Sequence, residues 1–227
     1  MSQERPNILF LFTDDQRFDT IRALGNEEII TPNMDRLVEL GTTFTHATIQ
    51  GSVVPAVCQP SRAMLMTGRS LYRAPRDCGE FTTLPQHLRA HGYETFGTGK
   101  WHNLPDSYAR SFSSGASIFF GGMWNHLEMP VYDFHPQGSY PQEDRYVAKR
   151  FSSELFSDDA IAFLRECPEE RPFFAYVSYT APHDPRMAPN EYAELYDPAK
   201  ITIPSNFQPV HSFNNGEMVI RDEMLAP

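Results

Sequence analysis

The sequence predicts an α/β fold built on a largely parallel central sheet flanked by helices. Three observations point to it. Ile8 to Thr13 and Phe173 to Tyr179 are short, nearly continuous apolar runs, the pattern of strands buried on both faces of a parallel sheet. Segments with helix signals lie between such runs, and strands alternating with helices argue for the α/β class. Chemistry-bearing residues then follow the predicted strands: Asp14 and Asp15 after the first, Lys100 and His102 after Tyr93 to Thr98, His183 after the last. Ligands of open α/β sheets bind outside the carboxyl ends of the strands, so this placement predicts one shared site.

The elements follow in order. Ile8 to Thr13 is the first strand, closed by the two acids. Thr31-Pro32 opens a helix that Gly41 ends: threonine suits the cap, proline the first turn, glycine the stop. Met34, Leu37, Val38 and Gly41 share a face of it. Thr42 to Ile49 alternates and is β-rich, which predicts a strand. A helix begins just after Cys58 and covers Pro60 to Met66. Leu84 to His91 is a short helix closed by Gly92, and Tyr93 to Thr98 is a strand. Ser157 is the expected cap of a helix reaching about Cys167, with Asp158 and Asp159 in its first turn. Residues 104–150, aromatic and glycine-rich, show no firm periodicity.

Composition narrows the function. The 227 residues suffice for one ordinary domain, and 41% hydrophobic content supports a core. Nineteen prolines exceed the usual share of about 5%, which predicts long connections of the kind that build sites. A net charge of -10 disfavours nucleic acid and anionic membranes. A local cluster of Arg and Lys can still bind an anion, because salt screens the distant field beyond about 8 Å. Cys58, Cys78 and Cys167 form no C-x-x-C pair, so neither a zinc ribbon nor a disulfide framework is expected. The N-terminal apolar run is too short for a signal peptide and no stretch is long enough to span a membrane. The expected compartment is the cytoplasm, or the periplasm or exterior if a leader lies outside the chain.

Two motifs carry the chemistry. Cys58-Gln59-Pro60-Ser61-Arg62, followed by Thr67-Gly68-Arg69, resembles the C-x-P-S-R-x-x-x-L-T-G-R motif of the sulfatase family, with Met66 where Leu is usual. Gly92-Tyr93-Glu94-Thr95-Phe96-Gly97-Thr98-Gly99-Lys100-Trp101-His102 is similar to the family's G-Y-x-T-x-x-x-G-K-W-H stretch. It is not a phosphate loop, since Trp101 stands where Ser or Thr is required. Each residue also has a plainer reading. Cys58 alone reads as a core cysteine beside a helix start, Asp14-Asp15 as a polar turn, Arg62 as a surface ion pair, and Asp184 as a turn former between Pro182-His183 and Pro185. Phe119 to Trp124 suits core packing better than stacking on a sugar. The remaining histidines, His46, His87, His91, His126, His135 and His211, lack motif context and read as structural.

The resemblance implies an alkaline-phosphatase-like fold and a formylglycine-dependent, type I sulfatase, a sulfuric ester hydrolase. In that reading Cys58 is oxidised to formylglycine by a maturing enzyme, and Asp14, Asp15 and the modified residue 58 hold Ca²⁺. One hydroxyl of the aldehyde hydrate attacks sulfur. His183 binds sulfate and protonates the leaving oxygen, His102 takes the second hydroxyl proton, and Arg62 and Lys100 stabilise charge. Lys100, His183 and Asp184 contact the substrate, expected to be a small-molecule or oligosaccharide sulfate ester. Residues 1–227 then form the N-terminal portion of a catalytic domain, incomplete at the C-terminus. The remaining metal ligands and a distal lysine of the family are not found, so the isolated chain is expected to be inactive. A phosphate or phosphonate ester hydrolase of the same superfamily, or a non-catalytic binding module, are the alternatives.

Overall fold

The structure is a computed structural model that describes residues 5–51 and 57–208. In chain order the elements are β1 (Ile8–Phe12), α1 (Pro32–Leu40), α2 (Cys58–Thr67), α3 (Leu84–Ala90), β2 (Glu94–Lys100), α4 (Pro105–Ser111), β3 (Ser114–Phe119), β4 (Met129–Val131), β5 (Tyr146–Ala148), α5 (Ser152–Glu166), β6 (Phe173–Ser178) and α6 (Asn190–Ala193). They fall into two compact units, Met1–Asp14 with Gln50–Met187, and Asp15–Ile49 with Ala188–Pro227.

The first unit is a four-stranded sheet in the order β1-β6-β2-β3, with every adjacent pair parallel. The period-2 alternation of strand side chains divides its core in two. Phe174 and Tyr176 of β6 enter one cluster with Ala63 and Met66 of α2 and Tyr108 of α4. Ala175 and Val177 enter the other with Phe156 and Ala160 of α5. Each such side chain, fully buried, contributes roughly 1.5–3 kcal/mol. A small antiparallel pair, β4 with β5, lies outside this sheet. It supplies Met129 and Val131 to the second cluster. The strand–helix alternation read from the sequence is therefore realised, and β6 is the central, two-sided strand expected of Phe173 to Tyr179.

Other expectations are corrected. β1 is buried on one face only: Leu9 and Leu11 remain 48% and 49% exposed. Among the described residues it is an edge strand, hydrogen-bonded to β6 alone, and α5 packs on β2, β3 and β6. Thr42 to Ile49 forms no strand; these residues are exposed throughout, and alternation without a partner strand has nothing to pair with. The helix expected from Ser157 starts earlier, at Ser152. The buried stripe Ser152, Phe156, Ala160 follows the helical period, and packing on the sheet extends the helix upstream. Ser157 Oγ instead donates to the Ser153 carbonyl at 2.6 Å. β2 runs two residues further than expected, so Lys100 ends the strand rather than following it.

The second unit holds α1 and α6. Proline opens α1 as expected, but Thr31 does not cap it with its side chain. The hydroxyl accepts from the Arg22 N–H and donates to Asp35 Oδ1, both at 2.9 Å. α1 buries none of its residues fully. The Ile30 N–H donates to the Tyr196 hydroxyl at 2.9 Å, joining the two segments of the unit. No helix among the described residues is long and apolar enough to cross a membrane.

Candidate active site

Helix α2 places residue 58. Val57 is the cap position and its apolar side chain makes no capping hydrogen bond, so it leaves the first N–H groups of the helix open to an anion. Cys58 is thus the first helical residue, one place later in the helix frame than expected. Pro60 sits in the first turn, where a missing N–H costs nothing. Arg62, Ala63 and Met66 form the buried face, which turns Arg62 under the sheet edge instead of toward solvent.

Gly99 brings Lys100 to the same place. Its φ is +85°, and a Cβ there would lie 2.0 Å from the Ser178 carbonyl oxygen. Only glycine lets β2 approach β6 so closely, at the point where the register of β2 with β3 shifts between Thr98 and Gly99.

At the carboxyl ends of β1, β2 and β6 these residues meet. Asp14 is 5% exposed, Arg62 1% and Lys100 0%. Lys100 Nζ donates to Asp14 Oδ2, and Arg62 Nη2 lies 3.3 Å from Asp14 Oδ1. Burying a lone ion costs several kcal/mol even after relaxation. One carboxylate between two cations offsets much of that cost and leaves the cluster net positive. Arg62 Nη1 also donates to the Lys100 carbonyl at 2.8 Å, the Tyr176 hydroxyl at 3.0 Å and Ser178 Oγ at 2.6 Å. Tyr176 and Ser178 went unnoticed in the sequence, where both look like ordinary strand residues.

Cys58 Sγ lies 3.9 Å from His183 Nε2. His183 Nδ1 donates to the Asp184 carbonyl at 3.1 Å, because a carbonyl only accepts; this directs Nε2 toward residue 58. Burial pushes the Cys58 thiol up, but hydrogen bonds from His102 and His183 and the Lys100 charge outweigh it and bring the pKa down to about 6. The bond to Cys58 lifts His183 to about 9 against the opposing effect of burial. Both shifts favour the thiolate–imidazolium form of the pair.

His102 follows β2 in a left-handed conformation, φ 62°. Its carbonyl accepts from Gln59 Nε2 at 3.0 Å, and its Nδ1 is buried without a hydrogen-bond partner. A Cβ on Gly122 would lie 3.0 Å from the ring, so a loop after β3 rests against it. Asp184 turns its carboxylate to Arg186 Nε at 2.9 Å and orients His183 through its backbone carbonyl; its Oδ2 is buried without a hydrogen-bond partner. Asp15 follows Asp14 directly, is exposed and has φ 60°; it belongs to the second unit. Packing claims Phe119 as expected, but Trp124 is 49% exposed. His211 lies outside the described residues.

One carboxylate oxygen of Asp14, Cys58 Sγ and one ring nitrogen of His183 lie within 4.8 Å of one another. With sulfur present, this donor set mixes hard and soft ligands. An oxygen in place of sulfur at residue 58 would fit the hard-cation end of that range.

Comparisons with known proteins place the chain in a family. The sulfatase family model matches residues 6–216. The arylsulfatase of Klebsiella aerogenes is 28% identical over 86% of this chain and 46% of its own length. The N-acetylglucosamine-6-O-sulfatase of Bacteroides thetaiotaomicron is 29% identical over 89% of this chain and 35% of its own. A structure solved in complex with its substrate D-glucosamine-2-N,6-O-disulfate superposes with a TM-score of 0.72 at 26% identity, covering 89% of this chain and 40% of that one. The chain spans less than half the length of each of these proteins. Its parallel sheet flanked by helices is the alkaline-phosphatase-like fold, and the chain belongs to the sulfatase family.

Proposed function

We propose that the protein hydrolyses sulfate monoesters, with the sulfate ester of a carbohydrate as substrate, and that Cys58 is the precursor of the nucleophile. The observation that carries this reading is the meeting, at one end of the sheet, of Cys58 and Arg62 from one family motif, Lys100 from the other, and His183. Relatives that act on sulfated sugars support the substrate class.

Formylglycine made from Cys58 by a maturing enzyme would supply a hydrated aldehyde, whose second hydroxyl lets the enzyme expel sulfate where a serine would keep it. Asp14, Asp15 and the oxygens of residue 58 would hold Ca²⁺, which would polarise the sulfate. The chain's own groups do the rest. Lys100 supplies a buried positive charge beside residue 58, and the open N-terminus of α2 adds N–H donors for sulfate oxygens. Arg62 holds the ends of β2 and β6 together through its three hydrogen bonds and holds Asp14 in place through its ion pair. His183 presents Nε2 to the reacting centre with its tautomer fixed by Asp184, the arrangement a general acid needs to protonate a departing alkoxide. His102 stands beside residue 58 to accept a proton.

Intact-mass analysis after expression with a maturing enzyme tests the first step: conversion of Cys58 lowers the mass, and an unchanged thiol under those conditions would count against it. Turnover of matched aryl sulfate and aryl phosphate esters tests the second. Preference for the sulfate is expected, and preference for the phosphate would move the protein to phosphate ester hydrolysis.

A further inference from the structure

The geometry points to His126 as a positioning residue for His183, through a contact with the peptide of His183 and not with any reacting atom. The inference rests on the role given to His183 above. His126 is buried and both ring nitrogens are engaged. Nε2 lies 2.9 Å from the His183 carbonyl oxygen; since that oxygen only accepts, Nε2 carries a proton and donates it. Nδ1 lies 3.0 Å from Thr180 Oγ1 and 3.2 Å from Ser152 Oγ, and these hydroxyls are 3.0 Å apart. With its proton on Nε2, a neutral ring accepts at Nδ1 from one hydroxyl, which closes the network with every hydrogen accounted for.

This ring joins three elements. It belongs to the loop after β3, which reaches His102 through Gly122. It meets Ser152 at the start of α5, whose N–H donates to the His126 carbonyl at 2.7 Å. It also holds both Thr180 and His183 at the exit of β6. The His183 N–H meanwhile donates to the Thr180 carbonyl at 3.1 Å. The peptide of His183 is thus fixed on its carbonyl side by His126 and on its amide side by Thr180. Any rotation of that peptide swings the imidazole relative to residue 58. The same loop therefore touches one candidate catalytic histidine and braces the other, which a histidine serving only the core would not need to do.

The test compares wild type, H126A and H126Q, each in the whole matured protein, on sulfate esters whose leaving groups span a range of pKa values. Gln has the reach and the N–H to donate to the His183 carbonyl; Ala has neither. H126A is expected to lose about ten-fold to a hundred-fold in kcat, as for a supporting partner or a misplaced group, with KM little changed. The loss should be steeper for poor leaving groups, and H126Q should restore much of it. Wild-type activity in H126A, a loss uniform across leaving groups, or a folded H126Q no better than H126A would each overturn the assignment. Should H126A fail to fold by thermal unfolding, the pair S152A/T180A frees Nδ1 while sparing the ring, and the same graded loss is expected; its absence overturns the proposal. If the whole matured protein hydrolyses no sulfate ester, the functional reading fails and this one is read from alkylation of the unconverted Cys58 thiol. H126A should then label about ten-fold more slowly at neutral pH, because the thiolate loses its aligned partner, with Cys167 unaffected. Equal rates at Cys58 would sink it.

Discussion

Cys58 and His183, 125 residues apart in sequence, face each other across 3.9 Å. The thiol is brought down to about 6 although burial acts against it, and the imidazole is raised to about 9. Cys78, buried without comparable partners, is raised to about 11 by desolvation.

The first expectation concerns the unconverted protein. As pH rises through about 6 the Cys58 thiolate forms, so its alkylation by iodoacetamide should rise through that pH and level off near neutrality. Cys78 should stay inert below pH 9. Mass mapping of labelled peptides over a pH series measures both. A Cys58 midpoint above 8 would show that the histidines do not stabilise the thiolate.

Asp14 and Asp15 should behave differently when replaced. Asp14→Asn leaves the buried Lys100 without its carboxylate, and breaking a buried pair costs about 3–5 kcal/mol. Asp15 is exposed, so Asp15→Asn should change stability by less than about 0.5 kcal/mol. Urea unfolding measures the difference, and equal midpoints would contradict the ion-pair reading. Both variants should weaken Ca²⁺ binding in calorimetric titration, each having lost one hard-oxygen charge.

Gly99→Ala should be the most damaging single methyl in the sheet. The new Cβ would stand 2.0 Å from the Ser178 carbonyl, and the neighbour is backbone of the central strand, which has little room to yield. A cost of at least about 3 kcal/mol is expected, visible as loss of soluble protein or a large fall in Tm. A Tm within a few degrees of wild type would mean that β2 and β6 separate readily.

Cys58→Ala and Cys58→Ser should both fold, since residue 58 sits at the start of α2 and is only partly buried. In the whole matured protein, neither should turn over sulfate esters. Serine retains a hydroxyl but gains no second one, so at most it accumulates a stable sulfate adduct detectable by intact mass. Multiple turnover by either variant would exclude residue 58 as the nucleophile's source.

Much of this molecule is legible in its residues. The apolar run from Phe173 predicts β6 because a strand covered on both sides must be apolar at every position. The prolines and glycines around α2 and α3 mark their ends, since those residues restrict or free the backbone locally. The two motifs name Cys58, Arg62, Lys100 and His102 before any geometry is known. Local signals also mislead where their outcome depends on a neighbour. Thr42 to Ile49 alternates without a strand to pair with, and Ser157 resembles a cap but lies inside a helix extended by the packing of Phe156.

What the chain by itself determined is therefore the α/β class, the parallel sheet and the identities of the chemically capable residues, because these follow from short-range periodicity and residue chemistry. Tertiary structure alone decided that β1 lies at an edge with Leu9 and Leu11 uncovered, that Arg62 turns inward to Tyr176 and Ser178, that Asp184 spends its carboxylate on Arg186, and that His126 supports His183. Those relationships join residues far apart in sequence. Their partners are set by which strands neighbour one another and which backbone groups are left to satisfy after the sheet has formed, and no local pattern records either.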